Sequence, residues 1–204
     1  EDLAKKMIPS GYSHSFFGQA EAFKESFRYL INALIQAIII IYMVLAIQFN
    51  SFLHPLTVML ALPLSTAGAF GALYLTGDTI SIISMIGMIT LTALVVKNSI
   101  LLVDYTNTLR EKGMDRNSAV LQAAPVRLRP ILMTAVTTML GVLPVALGYS
   151  AGGELRAGMG RATFGGMFAS TLLTLFVVPV AYTLMDDIRL MVRRILKMKR
   201  GEKI

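Results

Sequence analysis

Lys97 is a cation inside a long apolar stretch of the sequence, residues 79–105. A helix of about 20 apolar residues crosses the hydrocarbon core of a bilayer. Lys97 lies eight residues before Tyr105, whose ring type is enriched at membrane boundaries, and so lies about 12 Å deeper along a helix. A buried ammonium is costly, and the lysine side chain spans only about half of that depth. The sequence therefore favours a buried ion pair over a lysine that reaches the headgroups.

A polar stripe accompanies Lys97 on its predicted helix. At about 100° per residue, three residues share its side of the helix: Thr90, Ala93 and Asp104. Asp104 is about 10 Å away along the axis, too far for a direct ion pair. The other acidic residues fall in predicted loops, tails or membrane boundaries, so Lys97 has no buried carboxylate partner in this sequence. Asn98, Asp104 and Thr138 are expected to support the polar face.

A second polar stripe is predicted on the next apolar helix. Thr134 and Thr138 are four residues apart, and Arg127 shares their side if the helix begins before Pro130. A lysine beside an acid changes its charge balance when the acid is protonated, so lysine, threonine and arginine in this arrangement can pass or gate a proton. Two alternatives stay open. The hydroxyl of Thr134 can bond to its own helix, and Arg127 can anchor the membrane edge.

Enzyme and metal chemistry have little support. The sequence contains no cysteine, which excludes disulfides and thiolate sites. His14 and His54 are too far apart in sequence for a metal-ligand motif, and Ser99 lies on the side of the helix opposite to Lys97. We therefore expect no enzyme activity, no catalytic residue, no cofactor and no metal site.

The composition is that of a membrane protein. Of 204 residues, 55% are hydrophobic and only 15% are charged. The apolar stretches predict an all-α fold of five transmembrane helices, at about 29–48, 53–76, 79–105, 130–149 and 161–185. Small residues spaced four apart predict close helix packing, as for Gly68 with Ala72 and Gly166 with Ser170. A long charged loop is expected over residues 106–129, and a glycine-rich one over 150–160.

The basic residues orient these helices. Most of the 19 lysines and arginines lie in the loop after the third span or in the C-terminal tail, which predicts that both are cytoplasmic. Residues 1–28 are then outside and form the end of a larger extramembrane domain with a lead-in helix, and residues 12–17 are a short strand within it. Residues 29–185 form the membrane domain and residues 186–204 a basic tail that contacts lipid headgroups rather than nucleic acid.

Three segments of the sequence resemble the resistance-nodulation-division (RND) superfamily, and most of all its hydrophobe and amphiphile efflux branch. They are residues 46–64, residues 95–105 with Lys97-Asn98, and residues 127–134 with Arg127-Leu-Arg-Pro130. The resemblance covers almost the whole chain. It implies the last five helices of a twelve-helix protomer in the bacterial inner membrane.

Such proteins are proton-driven exporters built from two repeated halves. The resemblance implies a homotrimer that works with a periplasmic adaptor and an outer-membrane channel. It places Lys97 opposite two aspartates of the absent first half, with Thr134 and Arg127 in the proton relay. The heavy-metal branch typically has an acidic residue at the position of Lys97, which argues against metal export. The alternatives are a non-transporting helix-bundle partner and a related exporter of lipids or metal ions.

Overall fold

The computed structural model describes residues 18–149 and 152–199, and the described residues form helices joined by short turns. Five of the resulting segments are long and apolar enough to cross a membrane, which confirms the predicted all-α fold with five spans. The helices are α1 (Gln19–Phe49), α2 (His54–Met59), α3 (Ala61–Leu75), α4 (Ile82–Glu111), α5 (Arg116–Leu147) and α6 (Gly153–Lys199). Residues 12–17, the predicted strand, lie outside the described residues.

The second span consists of two helices, α2 and α3, with a break at Leu60. Pro63 explains the break, because proline has no backbone N–H to bond to the carbonyl of Met59. Leu60 keeps helical dihedral angles, with φ −59° and ψ −19°, so the chain keeps its direction. The two helices together form the crossing segment His54–Leu75.

The prediction of a loop over residues 106–129 was wrong, because most of this segment is helical. α4 continues to Glu111, and α5 begins at Arg116. A tight turn separates them, in which Gly113 has φ +87°, a value that favours glycine. The carboxylate of Asp115 then accepts a hydrogen bond from the N–H of Asn117 at 3.2 Å and caps α5. The segment is charged on its exposed side, and its buried Ala119 and Ala123 account for the helix.

α6 lies at the centre of the bundle and contacts α3, α4 and α5. Glycines permit this close approach. A Cβ atom added at Gly165 would overlap that of Ala72, and one added at Gly68 would overlap that of Ala169. The small residues predicted to promote helix packing therefore lie in the contact between α3 and α6. α6 also extends beyond the predicted end of the fifth span, to Lys199.

The remaining helices surround this centre unequally. α1 contacts only α2 and α4 among the described helices, and much of its apolar surface is exposed. Two clusters of buried side chains fill the bundle, one containing Leu102, Ile131 and Val178, and the other containing Leu91 and Met167. Both clusters pack against the same side of α4. Its other side is left uncovered, and Lys97 lies there.

Candidate functional site

The start of α4 sets the position of Lys97 along the helix. The hydroxyl of Ser81 accepts a hydrogen bond from the N–H of Ser84 at 3.1 Å, and the hydroxyl of Ser84 accepts one from the N–H of Ser81 at 2.8 Å. This reciprocal pair is a capping box, which satisfies two backbone donors at the helix start. Lys97 follows about four turns later, near the middle of the helix.

Lys97 lies on the uncovered side of α4. Thr90, Ala93 and Asp104 are exposed together with it, whereas Val95 and its neighbours on the other side are buried. No described residue forms an ion pair with Lys97 or with Asp104. The four exposed residues Thr90, Ala93, Lys97 and Asp104 form the Lys97 face. The structure brings these predicted residues to one side of the helix.

Asn98 does not belong to the Lys97 face. Its side chain is 6% exposed, and its amide nitrogen lies 3.9 Å from the sulfur of Met167 on α6. Adjacent helix positions are about 100° apart, which turns Asn98 toward the bundle while Lys97 points outward. This placement therefore does not favour the role expected for Asn98, which was to support the polar face. Asn98 contacts α6 instead.

The threonines of α5 bond to their own helix. Thr134 is exposed, and its hydroxyl donates to the carbonyl of Ile131 at 3.0 Å. Thr138 is partly buried, and its hydroxyl donates to the carbonyl of Thr134 at 2.8 Å. Each hydroxyl keeps acceptor capacity after donating one hydrogen bond. The backbone bond and a role toward an external group are therefore compatible.

Arg127 lies in α5, which begins well before Pro130, as its predicted alignment with Thr134 requires. Its guanidinium carbon is 4.4 Å from the ring centroid of Tyr105 on α4, within the range of a cation–π interaction. The Nε atom is buried and has no hydrogen-bond partner among the described residues. α4 and α5 are thus joined by an arginine that no described carboxylate neutralises.

Residues 1–186 match the model of the AcrB/AcrD/AcrF family. The chain belongs to this family. The multidrug resistance protein MdtC of Erwinia tasmaniensis is 40% identical over 183 residues, which are 89% of this chain and 18% of that protein. The resemblance to RND efflux transporters is confirmed.

Solved structures agree with this AcrB/AcrD/AcrF family assignment. Two crystal forms of a heavy metal efflux pump align with TM-scores of 0.81 and 0.78, each at 29% sequence identity over 91% of this chain. The aligned part is 19% and 18% of those chains. The chain therefore spans about a fifth of the length of these relatives. Its fold is that of a multi-pass transmembrane part of such transporters.

A polar cluster that was not predicted from the sequence lies where α4 meets α6 in this family member. Arg110 donates to Asp186 at 3.1 Å and to the hydroxyl of Tyr182 at 3.2 Å. The Tyr182 hydroxyl donates to Asn107 at 2.6 Å, and the ring of His54 stacks on that of Tyr182, 5.6 Å between centroids. More than 70 residues separate Arg110 from Tyr182, so no local sequence pattern predicts the contact.

A second missed cluster lies at the other end of the bundle. Arg161 forms an ion pair with Asp78 at 2.8 Å, and its Nε donates to the carbonyl of Ala146 at 3.0 Å. The turn before α4, the end of α5 and the beginning of α6 meet at this arginine. The sequence did contain an indication of this ion pair, because Asp78 and Arg161 both fall next to predicted spans on the same side of the membrane.

Proposed function

We propose that this chain is the C-terminal transmembrane part of a proton-driven exporter of drugs and other amphiphiles, and that it carries the lysine side of the proton relay. The observation that carries the proposal is the uncovered Lys97, which has no ion-pair partner among the described residues. An ammonium at this depth in a bilayer requires an acidic partner or water inside the protein. The absent part of the transporter supplies that partner as acidic residues on a facing helix.

The proposed step is an exchange of charge at the Lys97 face. When the facing carboxylate takes up a proton, its negative charge disappears and the attraction to Lys97 is lost. Lys97 then pairs with another group, and α4 shifts. α1 contacts α4 directly and leads toward the periplasmic domain, so it is the route by which the shift is transmitted. Proton entry is thereby coupled to substrate release.

Thr134 and Arg127 join the relay on α5. Thr134 is exposed and keeps acceptor capacity after its backbone hydrogen bond. The guanidinium of Arg127 rests on a ring rather than on a carboxylate, so no described residue compensates its charge. An uncompensated guanidinium orients water and carboxylates through charge-assisted hydrogen bonds. These features support a path for protons between α4, α5 and the absent helix.

Drug and amphiphile export is the favoured substrate class. The relative at 40% identity is named a multidrug resistance protein, whereas the heavy metal pumps are 29% identical. Lys97 also replaces the acidic residue that the metal branch typically has at this position. The basic residues between the third and fourth predicted spans, within residues 106–129, and those of the tail support a cytoplasmic C-terminus in the inner membrane. A homotrimer with an adaptor and an outer-membrane channel completes the proposed assembly.

The test replaces Lys97 in the full-length transporter that carries this chain. We expect Lys97→Met to lower proton-driven efflux in inverted membrane vesicles by at least about 100-fold, because it leaves the facing acid without its counter-charge. Lys112→Met is the matched control, since Lys112 is exposed in the turn after α4. Full efflux by a folded, trimeric Lys97→Met protein would refute the relay role.

Metal export is the second candidate, because the heavy metal efflux pump aligns with a TM-score of 0.81. Cells that lack their own exporters and express the full-length protein distinguish the two. Amphiphile export predicts higher resistance to detergents, bile salts and dyes with unchanged resistance to copper, silver and zinc ions. The opposite pattern would replace the amphiphile proposal with metal export and would leave the lysine relay to be judged by the vesicle assay.

A further inference from the structure

The guanidinium of Arg127 rests on the ring of Tyr105. The separation of 4.4 Å is shorter than in the other two described cation–ring pairs, Arg28 with Tyr29 at 5.8 Å and Arg110 with Tyr182 at 5.9 Å. The attraction between a cation and a ring face falls with this distance. The Tyr105 contact is therefore the strongest of the three by geometry.

The ring is fixed in place by its surroundings. Tyr105 is partly buried and packs against the core cluster that contains Leu102 and Ile131, one residue from each of α4 and α5. The Nε atom of Arg127 is buried as well and has no hydrogen-bond partner among the described residues. The guanidinium is consequently held by contact with a ring rather than by a network of polar bonds.

An aromatic ring and a carboxylate differ in how much of the charge and how many of the N–H donors of Arg127 they leave available for other partners. A carboxylate would compensate the charge of Arg127 and occupy its donors, whereas a ring face attracts the cation without supplying a negative charge. The ring face accepts none of the in-plane N–H groups, so the terminal ones, unlike the buried Nε, can donate to water or to an external acid. The ring face also takes up no proton, so it holds Arg127 throughout a cycle in which neighbouring acids change charge.

We propose that Tyr105 is a positioning residue of the proton relay, which fixes the charged guanidinium of Arg127 at the end of the Lys97 face. The inference rests on the proposed function, since it assigns Tyr105 a role through Arg127. The contact also joins α4, which carries Lys97, to α5, which carries Thr134, so that α5 moves with α4 when α4 shifts. The tie between the two helices lies eight residues beyond Lys97 and seven residues before Thr134.

Substitutions in the full-length transporter test the ring. Tyr105→Phe keeps the ring face, and we expect its proton-driven efflux to stay within about twofold of the parent. Tyr105→Leu removes the face and lowers efflux by about 2- to 30-fold, the range that a single cation–π contact supports. Tyr74→Leu is the matched control, because Tyr74 is 85% exposed on α3. Equal efflux by the leucine and phenylalanine variants at position 105 would overturn the proposal.

A fluorination series tests the same contact without changing the shape of the side chain. Mono-, di- and trifluorinated phenylalanines at position 105 withdraw charge from the ring face stepwise, so efflux should fall stepwise relative to Tyr105→Phe. The same series at position 74 should have no effect. Constant efflux across the series at position 105 would overturn the proposal, even if Tyr105→Leu failed to assemble.

A double-mutant cycle separates this inference from the function on which it rests. If Tyr105 acts through Arg127, Tyr105→Leu should lower efflux no further in an Arg127→Ala background. Arg127→Ala with full efflux would remove Arg127 from the relay and would count against the proposed function. Impaired efflux in Arg127→Ala with additive loss on adding Tyr105→Leu would overturn only the positioning role.

Discussion

Nη1 of Arg161 lies 2.8 Å from both carboxylate oxygens of Asp78, so one arginine on α6 fixes the turn that precedes α4. The same guanidinium donates through Nε to the carbonyl of Ala146, near the end of α5. Three segments of the bundle are thus joined at the end opposite to the Tyr182 cluster. The two side chains are 30% and 25% exposed, which makes the pair stronger than an ion pair on an open surface.

Asp78→Asn should destabilise the full-length protein, because Arg161 loses its counter-charge in a partly buried site. We expect a cost of about 1–2 kcal/mol, seen as a lower midpoint temperature for loss of the assembled protein on size exclusion after heating. Glu111→Gln is the matched control, since Glu111 is exposed at the end of α4. An unchanged midpoint for Asp78→Asn would show that the ion pair contributes nothing to stability.

The contact between α3 and α6 predicts a large difference between two identical substitutions. Gly165→Ala places a Cβ atom onto Ala72 and should cost about 1–3 kcal/mol through overpacking. Gly71 lies next to Ala72 on α3, and a Cβ atom added there meets nothing within 4 Å. Gly71→Ala should therefore leave the stability unchanged. Thermal midpoints and the amount of protein in the membrane check both. Equal behaviour of the two variants would contradict the described packing.

Tyr182→Phe removes a hydroxyl that both donates and accepts a hydrogen bond. Asn107 and Arg110 each lose a partner, while the stacking of His54 on the ring is kept. We expect a loss of about 1–3 kcal/mol because Tyr182 is only 2% exposed. The thermal midpoint measures it, with Tyr74→Phe as the exposed control. Equal midpoints would mean that water replaces the hydroxyl at no cost.

The hydroxyl of Thr134 can be tested against a neighbour on its own helix. Thr134→Val keeps the side-chain shape and should lower proton-driven efflux by about 2- to 10-fold, whereas Thr134→Ser should retain it. Thr137→Val is the matched control, because the Thr137 hydroxyl also donates to its own helix, at 2.8 Å to Met133. If both valine variants transport like the parent, the Thr134 hydroxyl serves its backbone bond alone.

Much of the fold was predictable from the sequence because its causes are local. Apolar stretches of sufficient length predicted five spans, and small residues four positions apart predicted close packing of helices. The structure confirms both predictions. The error over residues 106–129 has a physical reason. Charges on the exposed side of a helix resemble a loop in a hydropathy profile, although buried alanines such as Ala119 and Ala123 and the cap at Asp115 make the segment helical.

The candidate site was predictable only in part. Helix periodicity grouped Thr90, Ala93, Lys97 and Asp104, since residues on one helix have fixed angular relations. It did not supply the partner of Arg127, because Tyr105 is on a different helix, and the relative rotation of two helices is decided by packing over their whole length. Periodicity placed Asn98 about 100° from Lys97, and only packing showed that this direction leads to Met167.

The sequence by itself determined that five segments are long and apolar enough to cross a membrane. It also determined that Lys97 lies within one of them, with no acid in the chain close enough for a direct ion pair. Both follow from the cost of placing backbone and charge in hydrocarbon, which depends on residue type and on distance along one helix. Only the tertiary structure decided that the Lys97 face is left uncovered, that Arg127 rests on Tyr105, and that Arg161 joins three segments. Those contacts link residues 15 or more positions apart, so they exist only once the helices have packed.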